Sequence, residues 1–382
     1  NFLSKEHPGG YIPLSVVGID ATNIFIATHP VYVKEMINPY SLFHKKYHIG
    51  TLDVNEKTHR DDTIYYKLKI EVEKYMKLNK LKSRDLYIFD IEIIFFIIST
   101  IMLYTKILFS EYFYLYSTLA GISFTFLITR TIHDSNHGGL TRNNSLKRYI
   151  YTFIPEIISS NQSWQENHNL HHMHTNNIEL DPDTDQIFRV SNKMTKKFHH
   201  NFQIVYTPIL FFLFTLGQIV GYRYKPKNSY EPMHLYYHYF AKSILITLFW
   251  IFYTYNKLYY FIYSFLVSGF YLSIIFTVNH NQYFLSNEYI NNKSFMHQQL
   301  STTCDYNPGS KFINFISHGL NHQTFHHLFP SINYKNYPNL TKDVLIPFCK
   351  QNNLKYNGEN ITFPYLIYLH IISLYKWSKK YN

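Results

Sequence analysis

Five long apolar stretches, separated by polar and charged loops, dominate the chain between residues 91 and 278. An α-helix needs roughly 20 apolar residues to cross a bilayer, and each stretch is close to that length. The pattern therefore predicts a mainly helical, integral membrane protein. The stretches cover residues 91–109, 112–129, 204–222, 236–255 and 258–278. A shorter one at 149–159 cannot cross, so we expect it to lie at the membrane interface.

Three histidine-rich clusters lie just beyond apolar stretches, at residues 133–137, 168–172 and 323–327. Residues three and four apart share one face of a helix, so the imidazoles of each cluster converge, as metal ligands must. Neutral imidazole suits iron, copper or zinc, and the combined set is large enough for two ions. The clusters contain His133, His137, His168, His171, His172, His326 and His327.

Chance alone would pair some of the 22 histidines, and an exposed surface pair is the simpler interpretation of His199 and His200. Chance does not readily produce three clusters with helical spacing, each beside an apolar stretch. The sequence therefore favours a metal site over coincidence. The carboxylates of a soluble di-iron bundle, two Glu and two Glu-x-x-His pairs, are not found in that arrangement.

These clusters resemble the histidine boxes of the membrane fatty acid desaturases, and more closely those of front-end desaturases with a fused cytochrome b5 domain. The first box of that family, His-Asp-x-x-His, matches residues 133–137. The second, His-x-x-His-His shortly after a Trp, matches Trp164 and residues 168–172. The third has Gln in place of its first His, and Gln-x-x-His-His-Leu-Phe-Pro stands at residues 323–330.

The resemblance implies a four-helix transmembrane bundle over residues 88–382, with a cytosolic cap that carries the boxes. It also implies two non-haem iron ions, held by the box histidines and by His280 as an eighth ligand, with molecular oxygen as co-substrate. An imidazole at the end of an apolar stretch is costly without a partner. We expect Asp134 to orient a ligand histidine without binding metal itself, and Gln323 to support the site indirectly.

Other polar residues near the boxes receive no ligand role. The aspartates after the second box surround a proline and favour an exposed loop, although a supporting role for the first or third of them is left open. These aspartates are Asp181, Asp183 and Asp185. Three further histidines lack the family pattern and are predicted not to bind metal. They are His174, His318 and His322.

Residues 1–55 resemble cytochrome b5, a small α+β haem domain. His7-Pro-Gly-Gly is followed by an Asp-Ala-Thr run and by His29, and the resemblance implies that His7 and His29 are axial ligands of a haem b. Two axial imidazoles fill both open positions of haem iron, so such a haem can only pass electrons. The chain begins with Asn, so we expect its natural start to lie upstream. Residues 56–87 are charged and predict a linker with a solvated helix.

The boxes must share one side of the membrane to form one site, so an even number of crossings must separate any two of them. Three stretches lie between the second and third boxes. The stretch 204–222 contains one Pro and two Gly, and it is the one predicted to lie at the interface or to re-enter. Basic residues concentrate on the box side and stay cytosolic. The boxes and the haem domain are therefore predicted to face the cytosol, from the endoplasmic reticulum membrane.

The net charge of +11 could indicate a nucleic-acid partner. The basic residues are instead scattered between the apolar stretches and form no stripe, so no nucleic-acid partner is predicted. The two cysteines, Cys304 and Cys349, are too few for a disulfide framework.

The favoured hypothesis is an oxygen-dependent acyl-lipid desaturase of the front-end type. It would act on a membrane lipid or acyl-CoA, and a reductase would supply electrons through the haem domain. A sphingoid-base desaturase shares the Gln and the haem domain, and a hydroxylase on the same scaffold shares the first hydrogen abstraction, so both remain alternatives. A non-catalytic membrane electron carrier is a remote alternative, and the histidine boxes are its main difficulty.

Overall fold

The computed structural model describes residues 21–31, 63–141, 145–184, 187–191, 193–221, 232–285 and 294–379. Over these ranges the chain is helical and has no strand, which confirms the mainly α prediction for the part after residue 88. His7, Asp185 and most of the predicted haem domain lie outside the described residues, and what was inferred for them stays a prediction.

The α-helices are numbered here in chain order. They are α1 Thr22–Thr28, α2 Thr63–Leu78, α3 Tyr87–Phe109, α4 Phe113–Asn136, α5 Ser145–Glu156, α6 Asn161–His174, α7 Gln203–Gly221, α8 Pro232–Thr254, α9 Leu258–Thr277, α10 Phe295–Thr302, α11 Lys311–Ile316, α12 Gln323–Leu328, α13 Tyr337–Leu340, α14 Ile346–Gln351 and α15 Phe363–Lys379. Short 3-10 turns lie at Pro182–Thr184, Phe198–Phe202, Leu320–His322 and Tyr334–Asn336, and a π turn lies at Thr341–Leu345.

Helices α3, α4 and α9 form the centre of the bundle, with α4 packed between the other two. Small and hydroxyl-bearing residues lie where these helices touch. The Thr125 hydroxyl donates to the Ser268 hydroxyl at 2.9 Å. Gly121 allows close approach, because a Cβ there would lie 2.4 Å from the carbonyl oxygen of Ser264. Such contacts hold apolar helices together where lipid removes the hydrophobic driving force between them.

Four helices among the described residues are long and apolar enough to cross a membrane: Tyr87–Phe109, Phe113–Asn136, Phe198–Gly221 and Leu258–Thr277. The number agrees with the predicted four crossings, but one member of the set differs. Helix α8 has 23 residues and yet is not among the four. Its polar residues His238 and Lys242 lower its hydropathy, whereas the segment that contains α7 has no charged residue after its first turns.

The prediction that residues 204–222 lie at the interface or re-enter stays a prediction. Residues 204–221 belong to α7, which runs antiparallel to α9 and packs against it. The Phe211 carbonyl accepts from the Ser273 hydroxyl at 3.3 Å, and one turn later Thr215 donates to Ser268 at 3.4 Å. Proline and glycine do not bar a helix from a bundle in lipid, because neighbouring helices can satisfy the backbone groups that they free.

Helices α7 and α8 both begin at the box end of the bundle, defined here as the end where the three histidine boxes lie. Gln203, at the start of α7, accepts from the backbone N–H of Arg189 at 2.8 Å, in the loop after the second box. His238, near the start of α8, bonds to Glu156. The Glu156 carboxylate also accepts from the Asn161 backbone at 2.8 Å, where the second box helix begins. Successive apolar helices therefore do not alternate in direction.

The prediction of a solvated helix in the linker is correct for the helix itself and wrong for its exposure to solvent. Helix α2 packs one face against the core beneath the third box, where Phe325 and Leu328 lie, and is not solvated all round. Its buried positions recur every three or four residues, the spacing of an amphipathic helix. The buried side chains of α2 are Tyr65, Leu68, Lys69, Val72 and Met76.

Part of the predicted haem domain also contacts this core. Ile26 and Ala27 of α1 are buried in the same cluster as α2 and α12. The amide of Asn23 donates to the carbonyl of Met173 at 3.1 Å, within the helix of the second box. The N-terminal region and the box helices therefore meet directly.

The contact between α7 and α9 yields a test with a matched control. A Cβ on Gly269 would lie 2.6 Å from the Phe212 carbonyl oxygen, so Gly269→Ala should force the helices apart and destabilise the protein by about 1–3 kcal/mol. Gly217 of α7 has no atom within 4 Å of a Cβ, so Gly217→Ala should leave stability unchanged or raise it. Thermal unfolding in detergent measures both. Equal unfolding temperatures for the two variants would contradict the packing of α7 in the bundle.

Candidate metal centre

The structure brings all eight sequence-predicted histidines into one buried cluster at the box end. Helix α4 supplies His133 and ends at His137, α6 supplies three, α12 supplies two, and His280 follows α9. Local chemistry starts two of these helices where the site needs them. The Ser160 hydroxyl accepts from the Ser163 N–H at the start of α6. The Asp305 carboxylate accepts from the Thr324 N–H at 2.7 Å, at the start of α12.

Two groups of histidines within the cluster have the dimensions of metal sites. In each group the candidate ligand atoms lie within 4.8 Å of one another. The first group contains His133, His137, His168 and His326. The second group contains His171, His280 and His327.

His172 lies between the two groups. Its Nε2 is 3.0 Å from His326 Nε2 and 3.3 Å from His168 Nε2, so it points to the same place as the first group. Its ring stacks on His327 of the second group, with ring centroids 4.2 Å apart. The cluster therefore forms one continuous site with room for two ions.

Some ring nitrogens in the first group have no hydrogen-bond partner within the described residues, so they are available to bind a metal ion. The Nε2 of His133 and both ring nitrogens of His137 are buried and have no hydrogen-bond partner within the described residues. A buried polar nitrogen without a partner is costly, and a metal ion would satisfy it. Burial, and then the neighbouring imidazoles, hold the pKa of His137 and His168 well below the usual value. These rings are therefore neutral, as metal binding requires.

The second group is oriented by hydrogen-bond acceptors. His171 Nδ1 lies 3.0 Å from the Asp181 carboxylate, and His280 Nδ1 lies 3.2 Å from the carbonyl oxygen of Thr302. His327 Nδ1 lies 2.9 Å from the Gln299 side-chain oxygen. Each acceptor pairs with the proton on Nδ1, which directs Nε2 toward the place where a metal ion would bind.

Asp181 is a supporting residue that the sequence left open. It is 3% exposed, so the exposed-loop prediction is wrong for it, whereas the Asp183 side chain is 54% exposed, as a loop residue should be. Burial lowers the pKa of His171, but Asp181 and Asp183 outweigh burial and raise that pKa to about 9. The carboxylate of Asp181 is thus firmly paired with the Nδ1 proton of His171.

Further partners that sequence reasoning missed surround the other rings. The Tyr337 hydroxyl lies 3.2 Å from His326 Nδ1, and the Trp164 ring stacks on His168 with centroids 4.2 Å apart. Burial raises the pKa of Asp305, which caps α12, to about 7. Trp164 had a sequence signal through its place before the second box. Tyr337 and Asp305 had none, because only the folded chain brings them to the site.

The two residues predicted to support the site both contact it. Asp134 lies 3.7 Å from His133 Nδ1 and accepts from the Asn333 amide at 2.8 Å. The side-chain amide of Gln323 lies 2.9 Å from His280 Nε2, and it also lies 3.2 Å from His327 Nε2. Gln323 therefore borders the second group itself.

The histidines predicted not to bind metal are absent from the metal-sized groups found among the described residues. His318 instead lies 2.5 Å from a guanidinium nitrogen of Arg130. Arg130 in turn contacts Glu92 at 3.3 Å. This buried charge network lies one helical turn before His133.

The contact between Asp181 and His171 yields a prediction with a nearby control. Asp181→Asn should lower metal affinity roughly 10–100-fold, because carboxylates that orient ligand histidines have effects of that size. Glu179→Gln removes an exposed carboxylate two residues away and should leave metal content unchanged. Metal analysis of the purified variants measures both. Full metal content in Asp181→Asn would show that His171 does not depend on this carboxylate.

Comparison with known proteins agrees with this site. The model of the family described as fatty acid desaturase matches residues 112–360, a range that contains all eight histidines. Delta(5) fatty acid desaturase A of Dictyostelium discoideum is 28% identical over 415 aligned residues, which cover 97% of this chain and 86% of that protein. An acyl-lipid (8-3)-desaturase of Physcomitrium patens is 26% identical, over 92% of this chain and 80% of its own.

A Delta(6)-fatty-acid desaturase of Caenorhabditis elegans is 26% identical, over 93% of this chain and 88% of that protein. These relatives align with nearly the whole chain. The family match begins at residue 112, so it covers three of the four candidate spans, from α4 onwards, and all three boxes. The chain belongs to the fatty acid desaturase family and is an oxidoreductase that acts on fatty acids.

Proposed function

We propose that the protein is a front-end acyl-lipid desaturase with a di-iron centre. The observation that carries the proposal is the pair of buried histidine groups, joined through His172, at the end of the apolar helices. The relatives named Delta(5), Delta(6) and (8-3) desaturases support the front-end assignment. The Gln at the start of the third box agrees with that assignment.

When bound, two iron ions would activate oxygen enough to remove hydrogen from an unactivated methylene, which no side chain can do. The chain would hold them with His133, His137, His168, His172 and His326 on one side. His171, His280 and His327 would hold the other side. Overall, two hydrogens would leave the acyl chain, two further electrons and two protons would enter, and one oxygen molecule would become two waters.

The side chains around the site would exclude water and fix the ligand rings. His326 and His327 are fully buried, and the acceptors at Asp181, Gln299 and Thr302 keep their neighbours in one tautomer. An acyl chain is insoluble in water, so we expect it to reach the site from the bilayer. Positioning two adjacent methylenes at the metals would set the site of the double bond.

Product analysis tests this function and separates its alternatives. The intact protein should be expressed in a host that lacks polyunsaturated lipids, supplied with unsaturated fatty acids of several chain lengths. A desaturase yields a fatty acid that has lost two hydrogens, whereas a hydroxylase yields one that has gained oxygen. A sphingoid-base enzyme changes the long-chain base and leaves the fatty acids unchanged. No change in any lipid would favour a non-catalytic electron carrier.

In the same host, His168→Ala should abolish the product while the protein stays in the membrane. His168 belongs to the first group, and the bundle is held together by helix contacts that do not involve it. His199→Ala changes an exposed histidine and serves as the control, with product expected at the parent level. Fatty-acid profiles and membrane-fraction immunoblots provide the two readouts. Normal product from His168→Ala would remove the basis for the metal assignment.

We also propose that residues 1–55 form a cytochrome b5-like haem domain that supplies the electrons. His29 suits an axial ligand, because its Nδ1 lies 2.9 Å from the Phe25 carbonyl oxygen and Nε2 is thereby left as the unprotonated nitrogen. Haem held by His7 and His29 would have no open position for oxygen and could only relay electrons.

Contacts of α1 support a short route from this domain to the metals. Asn23 donates to the Met173 carbonyl, which directly follows His172. The ammonium of Lys69 donates to the carbonyl oxygens of Ile26 and His29, at the end of α1. A cation at a helix C-terminus is favourable. These bonds would keep α1 against the second box helix while electrons pass.

The electron role is separable from the metal site by one substitution. His29→Ala should remove haem and slow turnover, while the non-haem iron content stays at the parent level. His44→Ala, in the same region but with no predicted haem role, should change neither. Haem absorbance, iron analysis and turnover with and without added soluble cytochrome b5 measure the three effects. Parent-rate turnover by His29→Ala without another donor would contradict the relay.

We further propose that the box end faces the cytosol of the endoplasmic reticulum. The basic residues of the loops at that end, including Lys193, Lys196 and Lys197, support this orientation. The turn between α3 and α4 would then face the lumen, where a glycosylation tag inserted at residues 110–111 should be modified. A tag that remains unmodified there would reverse the orientation.

A further inference from the structure

Helix α15 lies across the ends of two membrane-length helices. The Gln282 amide, just after α9, donates to the Leu366 carbonyl at 3.2 Å. Further along α15, the carbonyl of Leu374 accepts from the Gln203 amide at the start of α7. Trp377 continues the line, since its carbonyl accepts from Arg189 at 3.0 Å. Because α15 bridges α9 and α7 at the box end, it lies beside the ends of two candidate membrane spans.

The two faces of α15 differ sharply in their surroundings. The face toward the protein is buried and includes Leu366, Leu369, His370, Ser373, Leu374 and Trp377. The opposite face presents large side chains at intervals of three or four residues, and each is about half exposed. They are Tyr365 at 50%, Tyr368 at 55%, Ile371 at 47% and Tyr375 at 51%. An exposed stripe of large side chains that recur so regularly on one helix face indicates a contact surface for a partner.

The side chains of this stripe indicate which kind of partner it contacts. Tyrosine has an apolar ring and a polar hydroxyl, and it is enriched where apolar membrane meets water. Helix α15 has no acidic residue, and Lys376 and Lys379 lie in its last turns. The Lys376 ammonium lies 3.3 Å from the centroid of the Tyr283 ring, and the exposed Lys379 can extend toward headgroups while its stem stays on apolar surface.

The neighbouring segment continues the same surface. Phe198 is 80% exposed and Phe202 is 55% exposed, at the start of the membrane-length segment Phe198–Gly221. Lys193 and Lys197 are exposed just before them. Exposed aromatic residues beside basic residues, continuous with a candidate span, fit the boundary between the hydrocarbon core and anionic headgroups.

We propose that α15 is an interfacial helix whose Tyr365–Tyr368–Tyr375 face is seated in the headgroup layer of an anionic bilayer. The lipid surface would hold the ends of α7 and α9, and with them the loop after the second box. The contact depends on neither the metal ions nor the haem domain. It can therefore be tested whether or not the enzyme is active.

Single-cysteine labelling tests the position of this helix. The native cysteines are both buried, and burial raises the pKa of Cys349 to about 12, so neither competes for a thiol reagent. A fluorophore would be placed by Tyr368→Cys in the intact protein, reconstituted in phosphatidylcholine vesicles with or without phosphatidylserine. Two exposed positions serve as controls, Lys355→Cys for solvent and Ile98→Cys of α3 for the bilayer core.

Lipids that carry a nitroxide quench a fluorophore that lies at the depth of the nitroxide. Iodide quenches a fluorophore that is exposed to water. The label at residue 368 should be quenched most by a nitroxide near the headgroup, and the label at residue 98 most by one at the chain end. Iodide should quench the label at residue 355 several-fold more than the label at 368, and phosphatidylserine should increase headgroup quenching at 368. Matching behaviour of the labels at 368 and 355 would overturn the proposal. Protection from iodide without quenching by lipid would overturn it too, because a protein would then cover the stripe.

Discussion

Eight imidazole rings that are buried together form the interaction on which the rest of this structure depends. A buried ring nitrogen without a partner is costly, so each ring needs either a hydrogen bond or a metal ion at each nitrogen. In the second group, Asp181, Gln299 and the Thr302 carbonyl take the Nδ1 protons and direct the Nε2 atoms inward. In the first group, His137 has no hydrogen-bond partner at either nitrogen among the residues that the structure describes. The cluster is therefore arranged to be completed by metal ions.

The fold supplies this cluster by joining helix ends that are distant in sequence. His133 and His137 lie at the end of a membrane-length helix, where the apolar surroundings stop and polar partners become available. Residues of the cap then close the site, since Asp305 starts the third box helix and Tyr337 contacts His326. The α1 segment and α2 pack beneath the same box, which joins the N-terminal region to the metal centre through direct contacts.

Local pattern was sufficient to predict the parts of this protein that depend on local spacing. The box histidines recur at helical intervals, so their convergence within each box followed from the sequence alone. The apolar stretches likewise predicted the helices, because length and hydropathy are local properties. The amphipathic spacing of α2 was also present, but charged residues between Tyr65, Leu68 and Val72 obscured it.

Features that depend on packing between distant segments could not be predicted in this way. Residues 204–222 contain a proline and two glycines, and only the contacts of this segment with Ser268, Gly269 and Ser273 show that it packs against α9. The roles of Asp181 and Asp305 depend on which rings the folded chain brings beside them. The shared starting end of α7 and α8 likewise depends on contacts between distant segments, since Gln203 contacts Arg189 and His238 contacts Glu156.

The central claim is that the histidine cluster holds two metal ions through imidazole nitrogen. X-ray absorption at the iron edge, combined with metal counting on the purified intact protein, tests it most directly. After subtraction of the haem-iron signal, we expect about two non-haem irons per chain, a first shell of nitrogen and oxygen without sulfur, and scattering from the outer atoms of several imidazoles. A protein purified with full activity that binds one ion or none, or iron without imidazole scattering, would contradict it.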